Sequence, residues 1–226
     1  MTRVDSKLAG NTRGAFAMYW LGRTIAVGFC RLYLRMTVEG LEHIPAAGPF
    51  ILAPIHRSIM DTPIAAVCTK RRLRYMGKDS LWKTGIGGWL LSAVGGFPVT
   101  RGTADREALV RCIEVLKGGE PLVLFPEGER KSGPIVAPLF DGAAYIASKA
   151  GVAIVPVGIG GSERVMPKGS RFIYPKKVHV VVGAPIPPHD ASGGRVQREA
   201  LHQVSERLHD DLQRLFDRAQ IRAGVR

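Results

Sequence analysis

The sequence has few cysteines, few acidic residues and no long uninterrupted apolar run. The three cysteines, Cys30, Cys68 and Cys112, form no CxxC pair and have no histidine ligands close by, which argues against a disulfide framework and a zinc site. Cys68 and Cys112 lie in apolar, helix-like stretches, so we expect buried structural thiols and a cytoplasmic protein. Residues 1–14 lack the compact apolar region that is typical of a signal peptide.

The scarcity of acidic residues leaves a large positive charge: 19 Asp and Glu stand against 32 Lys and Arg, for a formal net charge of +13. An excess of this size favours an anionic partner, which could be a phospholipid surface, a phosphorylated substrate, an acidic carrier protein or a nucleic acid. No GxxxxGK[ST] and no GxGxxG follows a predicted strand, so nothing indicates nucleotide binding. The basic stretch 70–78 has few interleaved aromatic residues, and we expect no nucleic-acid partner.

The most apolar segment near the amino terminus is interrupted by Arg23, Arg31 and Arg35 before it reaches the roughly 20 apolar residues that a spanning helix needs. Wound as one helix, it gathers Arg13 and these three arginines on one side. On the other side lie Met18, Leu21, Ile25, Phe29, Leu32 and Met36. The pattern fits a helix in the lipid headgroup layer, and equally a helix packed on its own domain. Aromatic content and basicity favour the membrane, so we predict one or two amphipathic membrane-association helices over 1–36, at the cytoplasmic face of the cell membrane.

Beyond residue 36, short β-branched runs alternate with longer helical patterns. Strands are predicted within residues 36–41, 49–55, 72–77, 121–126, 153–159 and 177–183, and helices near 60–69, 79–94, 104–117, 138–150 and 193–224. This alternation is typical of a single α/β domain with a mixed, largely parallel sheet flanked by helices. We assign it to residues 37–226 and expect the last, amphipathic helix to pack on it. Pro156, inside an apolar run, predicts an edge strand or a bulge.

The stretch "PIHRSIMD" places His56 five positions before Asp61, directly after a predicted strand. Ligands of open α/β sheets gather beyond the carboxyl ends of the strands. An imidazole in the turn can fold back onto a carboxylate in the first helical turn, which fixes the tautomer and leaves the other ring nitrogen basic. No GxSxG elbow supplies a serine nucleophile, so the base would deprotonate a substrate hydroxyl.

Two further polar groups follow predicted strands or turns. In "GGFPVTRG" a brief extended piece delivers Arg101, a residue type suited to bidentate phosphate binding. In "LFPEGERKSG" Glu127 lies between a proline and Gly128, which permits positive φ or a close backbone approach, and Arg130 and Lys131 add positive charge. Each group alone could be an ordinary solvated turn, but their shared location favours one functional site.

These motifs, in this order, resemble the glycerolipid acyltransferase family of HxxxxD enzymes, and most of all the bacterial lysophosphatidic acid acyltransferases. His56 and Asp61 match the family's first motif, and "GGFPVTR" matches a second motif that ends in arginine. "FPEG" and "VPVG" match the third and fourth motifs, and the resemblance spans roughly residues 37–185. The chain departs from the pattern at Ile55, where asparagine or serine is usual, at Glu129, where threonine is typical, and at Ser80, which replaces a glutamate.

The resemblance implies direct acyl transfer at a membrane surface. The histidine, oriented by the aspartate, would deprotonate the hydroxyl of lysophosphatidic acid as it attacks an acyl thioester, giving phosphatidic acid without an acyl-enzyme. The donor would be acyl-CoA or acyl-carrier protein, and no metal or redox cofactor is required. The implied site residues are His56 and Asp61 for catalysis, Lys78 and the N–H groups after His56 for the oxyanion, Arg101, Arg130 and Lys131 for the phosphate, and Glu127 with Gly128 for orienting the acceptor.

Two alternatives stay open. The acceptor could be another lysophospholipid or a glycolipid, which the departures at Ile55 and Glu129 allow. The chain could instead be a non-catalytic, basic lipid- or nucleic-acid-binding module that keeps the fold. Loss of either member of the His–Asp pair would favour such a module, and the sequence has both.

Overall fold

Helices and strands alternate along most of the chain in the computed structural model, which describes residues 13–83, 85–99, 106–189 and 197–225. The helices are α1 (Arg13–Leu32), α2 (Asp61–Ala65), α3 (Gly85–Ala93), α4 (Arg106–Lys117), α5 (Gly142–Ala150), α6 (Ser162–Val165) and α7 (Arg198–Ala223). The strands are β1 (Thr37–Glu39), β2 (Ile51–Pro54), β3 (Arg74–Lys78), β4 (Gly96–Val99), β5 (Leu122–Val123), β6 (Ile154–Gly160) and β7 (His179–Val182). Short 3-10 helices cover Leu41–His43 and Asp79–Trp82.

The strands form one sheet in the order β1-β7-β6-β2-β5-β3-β4. Neighbouring strands are parallel except β6 and β7, which are antiparallel. All residues of β2 and β6 are buried, as expected for strands covered by helices on both faces of the sheet. The predicted α/β domain with a mixed, largely parallel sheet is confirmed.

The predicted elements have counterparts, with differences in length. The helix expected over 79–94 is a 3-10 helix followed by α3, and the helix expected over 60–69 shortens to α2. The brief extended piece before Arg101 is the edge strand β4, whereas α6 was not predicted.

Of the two alternatives predicted from Pro156, the edge strand is wrong, because β6 lies inside the sheet between β2 and β7. The bulge agrees with the pairing, because the register shifts by one residue between the Val157–Val182 pair and the Ile154–Ile186 bridge. Neighbouring residues explain why proline is tolerated there. The N–H groups of Ile51 and Ile55 donate to the carbonyls of Ala153 and Val157. The backbone hydrogen-bonding groups of the odd-numbered residues of β6 therefore point towards β2, and those of the even-numbered residues point towards β7. Pro156 faces the β7 side at the end of that ladder, where its carbonyl accepts the Gly183 N–H at 2.9 Å, so it makes the one backbone hydrogen bond that is open to a proline.

Helix α7 packs against β6 and β7, as the amphipathic pattern predicted. Along its apolar face Leu201, Leu208, Leu212, Leu215 and Ala219 are buried and Val204 is half-buried. The helix comes close to the sheet because β6 has glycines beneath it. A Cβ on Gly158 would lie 2.3 Å from the carbonyl carbon of Leu215, and one on Gly160 would lie 2.1 Å from the carbonyl oxygen of Ala219.

Helix α1 is continuous and one of its sides packs on the domain. The Tyr19 hydroxyl accepts a hydrogen bond from the Leu73 N–H at 2.8 Å. Arg23 donates to the Thr69 carbonyl and is half-buried, whereas the arginines grouped with it, Arg13, Arg31 and Arg35, are exposed. Helical periodicity predicts the direction in which a side chain leaves the helix. It does not predict that the carbonyl of Thr69, 46 positions away in the sequence, lies within hydrogen-bonding reach of the Arg23 guanidinium.

The opposite side of α1 is exposed and apolar. Leu21, Ile25 and Leu32 have exposed fractions of 56 %, 64 % and 83 %. Met36, which the pattern grouped with them, lies beyond the helix and is buried in the core. No helix among the described residues is both long enough and apolar enough to span a bilayer.

All three cysteines are buried free thiols. Burial raises the pKa of Cys30 to about 11 and those of Cys68 and Cys112 to about 12. The thiolate, which is the reactive form, is therefore scarce at neutral pH. The expectation of buried structural thiols is confirmed.

Replacing Gly158 with alanine should destabilise the domain by about 1–3 kcal/mol, because the new methyl group would collide with the α7 backbone. The free energy of unfolding from urea titrations measures the effect. Gly28→Ala is the matched control, since a Cβ there meets nothing within 4 Å in a helix, and it should be neutral or stabilising by up to about 1 kcal/mol. Equal effects of the two variants would contradict the close approach of α7 to β6.

Candidate active site

His56 and Asp61 meet at the carboxyl end of β2. The chain leaves β2 at Pro54, turns, and enters α2 with Asp61 as its first residue. His56 Nδ1 lies 3.1 Å from Asp61 Oδ2, so the expected folding of the imidazole onto the carboxylate is present. With Nδ1–H donating to the carboxylate, Nε2 is the nitrogen that can accept a proton.

Asp61 is fully buried and organises the turn around it. Its Oδ2 also accepts the N–H groups of Arg57 at 2.6 Å and Ser58 at 2.7 Å. These were among the N–H groups expected to stabilise an oxyanion, and that expectation is wrong for both because the carboxylate already uses them. The imidazole is further fixed by stacking on Phe125, with ring centroids 4.0 Å apart and planes at 21°.

A buried ion pair joins this turn to the Phe-Pro-Glu-Gly segment. Arg57 Nη1 lies 2.8 Å and 2.9 Å from the two carboxylate oxygens of Glu127, and neither side chain is more than 1 % exposed. Glu127 Oε1 also accepts the His56 N–H at 3.1 Å, and Oε2 accepts the Ala137 N–H at 3.2 Å. Glu127 therefore binds the backbone of His56 and the side chain of Arg57, the residue that follows the candidate base.

The guanidinium of Arg57 has a partner for each of its nitrogens. Nε donates to the Gly133 carbonyl and Nη2 to the Ile135 carbonyl, at 3.1 Å and 2.9 Å. Phe216 of α7 lies against the guanidinium, with its ring centroid 5.0 Å from Cζ. The pair thus fixes the loop that follows β5 to the turn that follows β2.

Glu127 was expected to bind an acceptor hydroxyl or to orient the phosphate-binding cations, Arg101, Arg130 and Lys131. The cation that it contacts is instead Arg57, and its oxygens face protein donors. A direct contact with the acceptor stays a prediction, although this geometry favours a positioning role.

The segment after Glu127 folds as a tight turn. Gly128 has φ +73°, and a Cβ there would lie 2.8 Å from the Phe140 ring, so both expectations for this glycine are met. The Lys131 N–H donates to the His56 carbonyl at 2.8 Å, while its ammonium pairs with Glu129 at 2.7 Å on the surface. Among the described residues, Arg130 has no acidic partner.

A cavity of about 720 Å³ opens beside His56. Its apolar wall includes Ala26 of α1, Ile59, and Leu91 and Val94 in and just after α3. Burial raises the pKa values of Tyr19 and Tyr75, which line it as neutral phenols. Polar residues at the cavity include His56, Glu129, Arg130 and Lys168. The cavity therefore combines an apolar wall with a histidine and three cations, because Arg23 of α1 lines it as well as Arg130 and Lys168.

Two expected site residues are not tested by the geometry. Arg101 lies outside the described residues. The backbone of Lys78 ends β3, next to Gly77, which lines the cavity. Their roles in binding phosphate and the oxyanion stay predictions.

Two residues at the site were missed in the sequence. Arg57 lies between His56 and Ser58. Its signal in the sequence was indirect: Glu127, held between a proline and a glycine at a strand end, needs a cationic partner if it is buried. Lys168 carries no local signal, because only the fold brings the segment after α6 to the cavity. Together with the pair His56–Asp61, the cavity cations Arg130 and Lys168 make a site that can take a proton from a ligand with an apolar chain and an anionic group.

Comparison with known proteins agrees with this geometry. The Acyltransferase family model matches residues 35–160, more than half of the chain. The chain is 29 % identical over 180 residues to a chloroplastic 1-acyl-sn-glycerol-3-phosphate acyltransferase of Arabidopsis thaliana, covering 78 % of this chain and 50 % of that protein. It is 32 % identical over 168 residues to the 1-acyl-sn-glycerol-3-phosphate acyltransferase of Streptococcus pneumoniae, covering 74 % and 60 %.

The structural comparison extends the match beyond the family model. The crystal structure of the 1-acyl-sn-glycerophosphate acyltransferase PlsC from Thermotoga maritima superposes with a TM-score of 0.73 at 27 % identity, covering 93 % of this chain and 84 % of that chain. The chain spans about half the length of the plant relative but most of the Thermotoga protein. On the family model and this shared fold, the chain belongs to the acyltransferase family.

Proposed function

We propose that this protein transfers a fatty acyl group from a thioester donor, acyl-CoA or acyl-carrier protein, to the free hydroxyl of lysophosphatidic acid, giving phosphatidic acid for phospholipid synthesis. The observation that carries the proposal is the His56–Asp61 pair beside a large apolar cavity flanked by cations. The acceptor is the one that the names of the relatives indicate.

In the proposed reaction, His56 Nε2 takes the proton of the acceptor hydroxyl while the hydroxyl oxygen attacks the thioester carbonyl. Asp61 stabilises the imidazolium that forms, since its Oδ2 lies 3.1 Å from Nδ1. The tetrahedral intermediate collapses, the C–S bond breaks, and the leaving thiolate takes the proton back from Nε2. No protein nucleophile takes part, and Lys78 is our candidate donor to the oxyanion.

The substrate groups fit different parts of the cavity. An acyl chain would lie along the apolar wall, where its burial is favourable by about 0.8 kcal/mol per methylene. The acceptor phosphate would lie near Arg130 and Lys168, which face the same space as His56. Arg101 and Lys131 remain further candidates for this phosphate.

Membrane association is proposed from α1. Its exposed apolar residues, Leu21, Ile25 and Leu32, would enter the headgroup layer at the cytoplasmic face, and the exposed Arg13 and Arg31 would meet lipid phosphates. The opposite side of the same helix lines the cavity through Ala26 and its neighbours. A lipid substrate would therefore have a short path between the bilayer and the site.

An acyl-transfer assay on the purified protein tests the proposal, with lysophosphatidic acid against other lysophospholipids and a glycolipid, and acyl-CoA against acyl-carrier protein. We expect His56→Ala to reduce kcat by about 10²–10⁴, the usual contribution of a general base, and Asp61→Asn to reduce it as well. His202→Ala, a surface histidine of α7, is the matched control and should keep full activity. Full activity of His56→Ala on every acceptor would refute the proposed base, and no transfer to any acceptor would refute the function.

The positioning role of Glu127 and Arg57 predicts a large effect on stability. Arg57→Met should lower the free energy of unfolding by about 3–5 kcal/mol, because Glu127 would remain buried without its cation. Lys131→Met is the matched control in the same loop, where the ion pair with Glu129 is exposed, and should have little effect. Urea unfolding of both variants measures the difference. Equally small losses would show that the buried pair does not organise the site.

A further inference from the structure

The loop over residues 166–177, between α6 and β7, combines positive charge with exposed aromatic side chains. Its sequence is "MPKGSRFIYPKK", with four basic residues and no acidic one. Residues 171–177 are all exposed, and Phe172, Ile173 and Tyr174 have exposed fractions of 72 %, 38 % and 44 %. Three consecutive large apolar side chains on a surface mark an interaction site, because solvated loops rarely present such a group.

The 166–177 loop has a defined conformation. The Tyr174 N–H donates to the Val165 carbonyl at 2.8 Å and closes the loop at its base. Ser170 Oγ lies 3.1 Å from both the N–H and the carbonyl oxygen of Phe172, which fixes the tip. The apolar tip is thus presented to solvent by a fixed backbone.

The loop is also joined to the segment that follows α1. The Tyr33 hydroxyl donates to the Ile173 carbonyl at 2.9 Å, and Arg35 donates to the Pro175 carbonyl at 3.1 Å. Leu32, at the end of α1, is 83 % exposed. The exposed apolar tip of the loop therefore lies next to the end of the exposed apolar side of α1.

We propose that the 166–177 loop is a second lipid-contacting element, with its aromatic tip in the headgroup layer and its exposed basic residues Arg171, Lys176 and Lys177 on anionic phospholipids. This inference rests on the membrane association proposed above and adds a second point of contact. The loop would extend the lipid-contacting surface beyond the end of α1 and so fix the orientation of the protein on the bilayer more firmly than the helix alone.

The chemistry of the loop favours a lipid surface over an acidic protein. Aromatic side chains suit the boundary between headgroups and acyl chains, and lysines extend their stems along apolar surfaces while keeping the ammonium in water. Lys168, at the start of the loop, lines the cavity together with His56. Placing the loop on the bilayer therefore places one rim of the cavity at the source of lipid substrates.

Site-specific labelling tests the contact, because the three native cysteines are buried with raised pKa values and should not react. Phe172→Cys, Leu21→Cys and Val110→Cys each add one exposed thiol for an environment-sensitive fluorophore, in the loop, on α1 and on the remote helix α4. The labelled full chains are mixed with vesicles of phosphatidylcholine, with vesicles that also contain phosphatidylglycerol, and with an acidic acyl-carrier protein. We expect a blue shift and a rise in intensity at positions 172 and 21 with the anionic vesicles, and no change at position 110.

Three other patterns of fluorescence response would overturn the proposal, each for a different reason. A response at position 21 without one at 172 would leave α1 as a membrane contact and reject the loop. No response at either position would reject membrane association itself. A response at 172 to acyl-carrier protein but not to vesicles would identify a protein-docking loop instead.

Charge and apolar variants measure the strength of the contact in vesicle sedimentation. Removing one basic residue in Lys176→Gln should weaken binding to anionic vesicles about fivefold, the effect of one cation near an anionic surface. Phe172→Ser should weaken it by about tenfold through the loss of buried apolar area, whereas Val110→Ser should not change it. Unchanged binding by both loop variants would contradict the proposal.

Discussion

Arg57 and Glu127 bury opposite charges between the turn that carries His56 and the loop that follows β5. Two charges removed from water destabilise a protein unless each is paired and its remaining hydrogen-bonding groups are satisfied. Both conditions hold here, because the guanidinium also donates to three backbone carbonyls and the carboxylate also accepts two backbone N–H groups. The turn and the loop cannot separate without exposing an unpaired charge to the interior. The position of His56, and with it the geometry that Asp61 completes, follows from this pairing.

Helix α1 satisfies two requirements with its two sides. Its inner side is fixed to the domain by Tyr19 and Arg23 and forms part of the cavity wall beside His56. Its outer side is exposed and apolar, and the 166–177 loop extends this exposed surface. The two interpretations of the amino-terminal pattern, packing on the domain and contact with lipid, are therefore compatible. A single helix can separate the proposed acyl-binding cavity from the bilayer that would supply its substrate.

The fold and the local part of the site could be predicted from sequence, because alternating strands and helices leave a strong periodic pattern. The contact between His56 and Asp61 was predictable, since strand end, turn and helix start lie within eight residues, from Pro54 to Asp61. The pairing of Arg57 with Glu127 was not, because 70 positions separate two residues that each resemble a solvated charge. The edge position predicted from Pro156 failed for a similar reason: a proline is tolerated inside a sheet at the end of a ladder, and the partner strand decides where that end lies.

We propose that Glu127 acts on the proposed base through Arg57 and the His56 backbone rather than by binding the acceptor. Steady-state kinetics of Glu127→Gln with varied acceptor concentration test it most directly, since glutamine keeps the volume of the side chain and removes the charge that faces Arg57. If Glu127 has this positioning role, kcat should fall about 10²-fold, because a small misplacement of His56 has an effect of this size. The KM for the acceptor should change little. A raised KM with unchanged kcat would contradict it, because it would show that Glu127 binds the acceptor itself.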